Sequence, residues 1–196
     1  MGAINDYNYS TKIKPNIRVN LYKANAKFSY GDFKGAIIDY QKLIFNKNFT
    51  DEIFFNLATS HFITSNYQEA INNYNKAIEF DENFDLSYLY RGNAKYLIQD
   101  YSGSINDYTK SIYINKKSYI TLNNRGVSKF KLKQYKSALD DFKKSLKINP
   151  NNYNTLYNKS LTYFELKERK KACIDLKKSI KLGKEVFENE YLKICR

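Results

Sequence analysis

The chain has no tryptophan, one histidine, one methionine, two cysteines and two prolines among its 196 residues. Each shortage closes a class of function. A single imidazole leaves neither a His-assisted nucleophile nor a His-rich metal cluster, so no catalytic residue, metal site or cofactor is expected. Two cysteines are too few for a disulfide scaffold, and no Cys-x-x-Cys pair suggests redox work. Cys173, beside Ala172, reads as a buried small residue, and Cys195 reads as a thiol exposed near the C-terminus. The seven glycines form no phosphate-cradling run. No apolar stretch approaches the roughly 20 residues needed to cross a bilayer, and the opening MGAINDYNYSTKIK lacks the apolar run of a signal peptide. A soluble, cytoplasmic protein is the expectation.

What is plentiful is positive charge and aromatic surface. Thirty-three Lys and Arg stand against 20 Asp and Glu, a formal charge of +13, beside 19 Tyr and 13 Phe. A hydrophobic content of 42% places the chain far from the composition of disordered proteins. The cationic surplus invites a polyphosphate partner. However, 28 of the cations are Lys and only 5 are Arg, accompanied by 24 Asn and 19 Ile. That bias follows A/T-rich codons, so the position of the charge is more informative than its sum.

An internal period organises the whole chain. GDFKGAIIDYQKLI from Gly31, SNYQEAINNYNKAI from Ser65, QDYSGSINDYTKSI from Gln99, KQYKSALDDFKKSL from Lys133 and KERKKACIDLKKSI from Lys167 start 34 residues apart without insertion or deletion. With the first repeat starting at Ile17, the five units are 17–50, 51–84, 85–118, 119–152 and 153–186. Small residues hold the eighth place (Ala24, Ala58, Gly92, Gly126, Ser160) and the twentieth (Ala36, Ala70, Ser104, Ala138, Ala172). The twelfth is always aromatic (Phe28, Phe62, Tyr96, Phe130, Phe164), and the twenty-fourth is Tyr40, Tyr74, Tyr108, Phe142 and Leu176. Two apolar runs of helical spacing, separated by a short polar turn, predict a helix-turn-helix hairpin in each unit.

This pattern resembles the tetratricopeptide repeat family over residues 17–186. The resemblance implies an all-α fold, a right-handed α-solenoid of tandem helix-turn-helix hairpins with a concave and a convex side. Pro150 alone occupies the family's terminal proline place, and the aromatic that opens the second helix is replaced by Arg169 in the fifth unit. Residues 187–196 place Phe187, Tyr191 and Ile194 on one helical face and are expected to form a capping helix. Residues 1–16 carry no period and are expected to be loose, with Tyr7, Tyr9 and Ile13 available to cover the first helix. His61, at the eleventh place, is expected in the core.

Charges covary between units. The seventh place holds Lys23, Arg91, Arg125 and Lys159 where the twenty-third holds Asp39, Asp107, Asp141 and Asp175, and the second unit loses both together as Leu57 and Asn73. These places are therefore expected to pair within a unit, with Lys95 and Lys129 one turn further on and in reach. The five units carry +4, −5, +2, +6 and +5, so the C-terminal end is basic. Its lysines, including Lys143, Lys144, Lys147, Lys177, Lys178 and Lys181, lie on second helices, without the Arg and interleaved aromatics that base stacking calls for.

In the resembled family, partner peptides lie along the first helices. The corresponding residues here are Tyr22, Asn25, Phe55, Asn56, Leu89, Tyr90, Asn93, Asn124, Tyr157 and Asn158, an apolar groove with amides at intervals. An amide both donates and accepts, so it can hold a peptide backbone whatever its sequence. The family's carboxylate clamp is disfavoured, because Leu21, Leu86 and Tyr90 hold its cationic places. The expectation is a non-enzymatic interaction scaffold that binds a peptide segment of a protein partner. The alternatives are an anionic surface or nucleic acid bound by the fourth and fifth units, which the lysine distribution disfavours, and weak self-association through an imperfectly capped end.

Overall fold

A computed structural model describes residues 17–46, 50–186 and 188–195. The expectations for Tyr7, Tyr9 and Ile13, and for the Phe187 side chain, lie outside the described residues. The chain forms two compact units, residues 1–98 and 99–196. The first contains α1 (Ile17–Ser29), α2 (Phe33–Phe45), α3 (Asp51–Ile63), α4 (Tyr67–Phe80) and α5 (Asp85–Leu97). The second contains α6 (Tyr101–Ile114), α7 (Tyr119–Lys131), α8 (Tyr135–Ile148), α9 (Tyr153–Glu165), α10 (Arg169–Lys181) and α11 (Glu188–Cys195). Within each unit every helix packs on its neighbour in sequence, and α1 also meets α3, α3 meets α5 and α7 meets α9.

The turn between the two helices of a hairpin has one geometry throughout. Its fifteenth-place residue is left-handed in every copy: Gly31, Ser65, Gln99, Lys133 and Lys167 all have positive φ. In the second hairpin the Ser65 N–H donates to the Phe62 carbonyl and the Asn66 N–H to the His61 carbonyl, which satisfies carbonyls left open at the helix end. Only the first copy uses glycine, so the other four accept the steric cost that a side chain meets at positive φ. The twelfth-place ring then packs on the residue that opens the second helix, as in Phe28 with Phe33 at 5.6 Å and Phe62 with Tyr67 at 5.7 Å. Where that residue is Arg169, its guanidinium lies over the Phe164 ring at 5.6 Å. A cation–π contact thus takes the place of the ring pair.

The core is an interlock of small against large. Tyr40, Tyr74, Phe142 and Leu176 have no exposed surface, and Tyr108 is 2% exposed. Burying each contributes roughly 2–3 kcal/mol. Room for them comes from the eighth place: a Cβ on Gly126 would stand 2.6 Å from the Phe142 ring. In the first hairpin Ala24 and Ala36 pack with Tyr40 and Leu43, and in the second Ala58 and Ala70 pack with Tyr74. Serines at the twenty-seventh place tie the two helices of a hairpin together, with Ser145 donating to the Tyr119 carbonyl and Ser179 to the Tyr153 carbonyl, both at 2.8 Å.

The covarying charges meet as buried clamps. Asp141, 1% exposed, accepts from Arg125 Nε at 2.8 Å and Nη2 at 2.6 Å, and Lys129 Nζ lies 2.7 Å away. Asp39 is held by Lys23 at 3.7 Å and Lys27 at 2.8 Å, and Asp175 by Lys159 at 3.2 Å. Lys27 is the equivalent of Lys129, so the first repeat also uses two cations. The arginines reach back to the preceding second helix, Arg125 to Thr109 Oγ1 at 3.0 Å and Arg91 to Asn75 Oδ1 at 2.7 Å. The second 34-residue repeat, 51–84, replaces the set with neutral groups. His61 stands at the eleventh place, 8% exposed, with Nδ1 unpartnered among the described residues. Burial pushes its pKa below the ordinary value, against a smaller opposite pull from Glu69.

Helix α11 closes the second unit through Ile194, which packs with Leu176, Ala172, Tyr163 and Leu139. One expectation is corrected here. Cys173 is half-buried rather than core, and it forms a disulfide with Cys195 of α11, with Cα atoms 4.9 Å apart. A lone pair 22 residues apart carries no spacing motif, so only the docking of α11 reveals the partnership. Closing a loop of this length stabilises the folded chain by about 3 kcal/mol.

Two predictions follow from the clamps. Asp141→Ala leaves two cations unpaired against a buried site and should cost about 3 kcal/mol in urea unfolding, whereas Glu79→Ala, which breaks the exposed Lys76–Glu79 pair, should cost under about 0.5 kcal/mol. As pH falls below the ordinary histidine value the unfolded chain protonates at His61 before the folded chain does, so stability is lost as pH falls from 7 to 5. His61→Tyr, which borrows the residue found at Tyr163, should lose less over that window; equal losses in the two chains would contradict the assignment.

Candidate functional site

In the first unit, the exposed edge of the first helices is an aromatic and amide surface. Phe55 on α3 is its hub, with ring centroids 5.8 Å from Tyr74, 5.8 Å from Tyr90 and 5.0 Å from Phe84. Tyr90 on α5 also meets Phe62 edge-on and stacks with Tyr74, both at 6.3 Å. Such ring pairs add about 0.5–1.5 kcal/mol each beyond area burial, so the surface is stiff as well as apolar. Beside it, Asn25 Oδ1 accepts from the Tyr40 hydroxyl at 2.6 Å and from Asn56 Nδ2 at 3.5 Å, while Asn25 Nδ2 donates to Glu52 Oε1 at 2.9 Å. Tyr22 is 54% exposed at the same helical place as Asn56. Asn93 lies on α5, half-buried, at the place held by Asn25 in the first unit.

These links explain two tyrosines. The Tyr40 and Tyr74 rings are core, but their hydroxyls emerge against ninth-place polar groups, Asn25 and Thr59, the latter at 3.1 Å. Burial pushes both phenols well above the ordinary tyrosine range, so they stay neutral donors. A signal for this was present in the sequence. The twenty-fourth place is Tyr where the ninth is Asn or Thr, as in Tyr40 with Asn25, Tyr74 with Thr59 and Tyr108 with Asn93. It is Phe142 or Leu176 where the ninth is Val127 or Leu161.

In the second unit, the corresponding face of α7 and α9 carries a run of amides. Asn158 Nδ2 donates to Asn123 Oδ1 at 3.0 Å, and Asn123 Nδ2 donates to Asn124 Oδ1 at 3.2 Å. The amides therefore orient one another. Asn123 stands at the fifth groove place, which holds asparagine only in this repeat.

Two expected groove residues stand elsewhere. Leu89 is 7% exposed: an aliphatic side chain at this place is drawn into the interior and offers no surface to a partner. Tyr157 is committed to the cap. Its hydroxyl donates to Glu190 of α11, Lys184 Nζ lies 4.9 Å from its ring centroid, and burial followed by the Glu190 bond pushes its pKa up to about 12. Lys143, Lys144 and Lys147 on α8, and Lys177, Lys178 and Lys181 on α10, are all exposed.

The comparisons with known proteins agree with this architecture. Tetratricopeptide repeat family models match residues 119–152 and 153–183, and a TPR repeat model matches residues 60–99. The chain belongs to the tetratricopeptide repeat family, and its all-helical fold is of the α-solenoid class. Among solved structures, MamA residues 41-end from Desulfovibrio magneticus RS-1 matches with a TM-score of 0.81 at 11% identity, covering 85% of this chain and 94% of that one. A MamA crystal structure matches at 0.80 and 20% identity, covering 85% and 91%. YrrB, described as a TPR protein with an unusual peptide-binding site, matches at 0.78 and 16% identity, covering 90% and 92%. No curated protein sequence matches the chain. Proteins of this family serve as interaction scaffolds, and no described helix is long and apolar enough to cross a membrane.

Proposed function

We propose that the protein is a non-enzymatic scaffold that binds an extended peptide segment of a protein partner on the first-helix faces. The observation that carries this reading is the surface of the first unit, where half-exposed rings of Phe55 and Tyr90 lie beside amides of Asn25 and Asn56. Rings of fixed mutual geometry take apolar side chains at low entropic cost, and pre-oriented amides pair with a peptide backbone. Asn123, Asn124 and Asn158 offer the second unit's face the same backbone chemistry. Residues of a single hot region carry most of the binding energy in such interfaces. The compartment is a separate matter: the cytoplasm keeps thiols reduced, whereas a Cys173–Cys195 bridge persists where conditions are oxidising.

Peptides selected on the immobilised chain from a displayed library provide the test. Asn56→Ala combined with Asn124→Ala should weaken a selected peptide by about tenfold or more, on the scale of two lost hydrogen bonds, without changing the helical circular dichroism. Unchanged affinity in the folded double variant would remove the amide reading.

A further inference from the structure

The disulfide does more than fasten the C-terminal helix. Both of its residues line a cleft of about 470 Å³, completed by Arg169, Lys170, Ile174 and Lys177 of α10 and Ile194 of α11. The floor is apolar and the rim is cationic. Ile174 is 67% exposed, unusual for a branched aliphatic on a helix otherwise studded with lysines. None of the seven lining residues is acidic, and no ion pair joins Lys170 or Lys177 to a carboxylate among the described residues. Arg169 is already placed, its guanidinium lying over Phe164. The cleft opens to solvent, so it suits a side chain presented by a macromolecule rather than an enclosed small molecule.

We propose that this cleft is a second docking site, separate from the first-helix faces, which receives an acidic segment of a protein partner carrying one large aliphatic anchor. The anchor packs on the exposed Ile174 beside the bridge, and flanking carboxylates meet Lys170, Lys177 and Arg169. Charge complementarity selects the occupant, because three cations surround the floor and no anion of the chain competes for them. The aliphatic floor separates this partner from a nucleic acid, whose phosphates would use the cations but have nothing to place on Ile174.

The bridge makes the site conditional. Cys195 is the last described residue of α11, and its sulfur closes one side of the cleft only while it is joined to Cys173. Opening the bridge takes two electrons and two protons. A reducing dithiol supplies them: its thiolate attacks one sulfur, a mixed disulfide forms, and the reagent leaves as its own cyclic disulfide while Cys173 and Cys195 become thiols. Reduction therefore frees the Cys195 side of the cleft, while Ile194 stays packed in the core.

The test uses the full chain and a fluorescent peptide of alternating Glu and Leu, with a Glu–Gly peptide of equal charge and an oligothymidylate as comparators, read by fluorescence polarisation at 100 mM salt. The oxidised chain should bind the Glu–Leu peptide at least tenfold more tightly than either comparator. Ile174→Ser, an exposed substitution that leaves the fold intact, should weaken it about fivefold. Lys170→Glu with Lys177→Glu should abolish it, and dithiothreitol or Cys173→Ser with Cys195→Ser should weaken it about tenfold. No binding by the oxidised chain, equal binding of the Glu–Gly peptide or oligothymidylate, or indifference to both Ile174→Ser and reduction would each overturn the proposal. Asn56→Ala should leave this binding unchanged, which separates the cleft from the first-helix faces; a loss there would assign the peptide to those faces and also overturn the proposal.

Discussion

The fit of one large side chain against one small one, repeated every 34 residues, is the constraint on which the rest of the structure depends. Phe142 can be fully buried because Gly126 presents no Cβ to its ring. The same exchange places Tyr40 with Ala24 and Tyr74 with Ala58. The two helices of a hairpin approach closely only at such a place, and that approach sets where every other side chain on them points. It brings the twelfth-place ring onto the head of the second helix, the twenty-third-place Asp under the seventh-place cation, and the twenty-fourth-place hydroxyl out against a ninth-place amide.

From that geometry the meaning of the charge follows. Lys23, Lys27, Arg125, Lys129 and Lys159 are structural cations, turned onto buried carboxylates. A buried pair of this kind adds little net stability over an apolar replacement, but breaking it strands a charge, which explains why the places change together. The second 34-residue repeat shows the neutral solution, with Leu57, His61 and Asn73 in place of two cations and an anion. Asp175 shows the tension in the charged one: burial raises its pKa and Lys159 only partly offsets the rise. Part of the positive charge is thus turned inward as clamps, while the named lysines of α8 and α10 stay exposed.

The sequence made the hairpins legible because their signal is repeated: a small, aromatic or acidic residue recurring in register reports packing even when one copy is ambiguous. Arg169 looked like a defect in the pattern and proved to be a cation–π substitute over Phe164. Features that occur once were harder to read. The Cys173–Cys195 bridge depends on where α11 docks, which no period encodes, and the bond of Tyr157 to Glu190 of that helix is hidden for the same reason. Leu89 was misplaced because hydrophobicity alone does not tell a groove lining from a core position one step round the helix. Asn123 has no counterpart amide at its place in the other repeats, and only the fold shows that it links Asn158 and Asn124.

The two faces considered for binding both inherit their order from the core. The rings around Phe55 are held by Tyr74, itself anchored by Ala58 and Ala70, and the cleft beside the disulfide exists because α10 is fixed by Leu176. The central claim is therefore that small and large places are energetically coupled. A double-mutant cycle on Gly126 and Phe142, read by urea unfolding, measures this directly. Gly126→Ala should destabilise by about 2 kcal/mol, because the added methyl overpacks the Phe142 ring by more than the gain in helix propensity of about 1 kcal/mol. Phe142→Leu in the same chain should recover at least about 1 kcal/mol relative to the sum of the single changes. Additive effects, or a stabilising Gly126→Ala, would contradict the account.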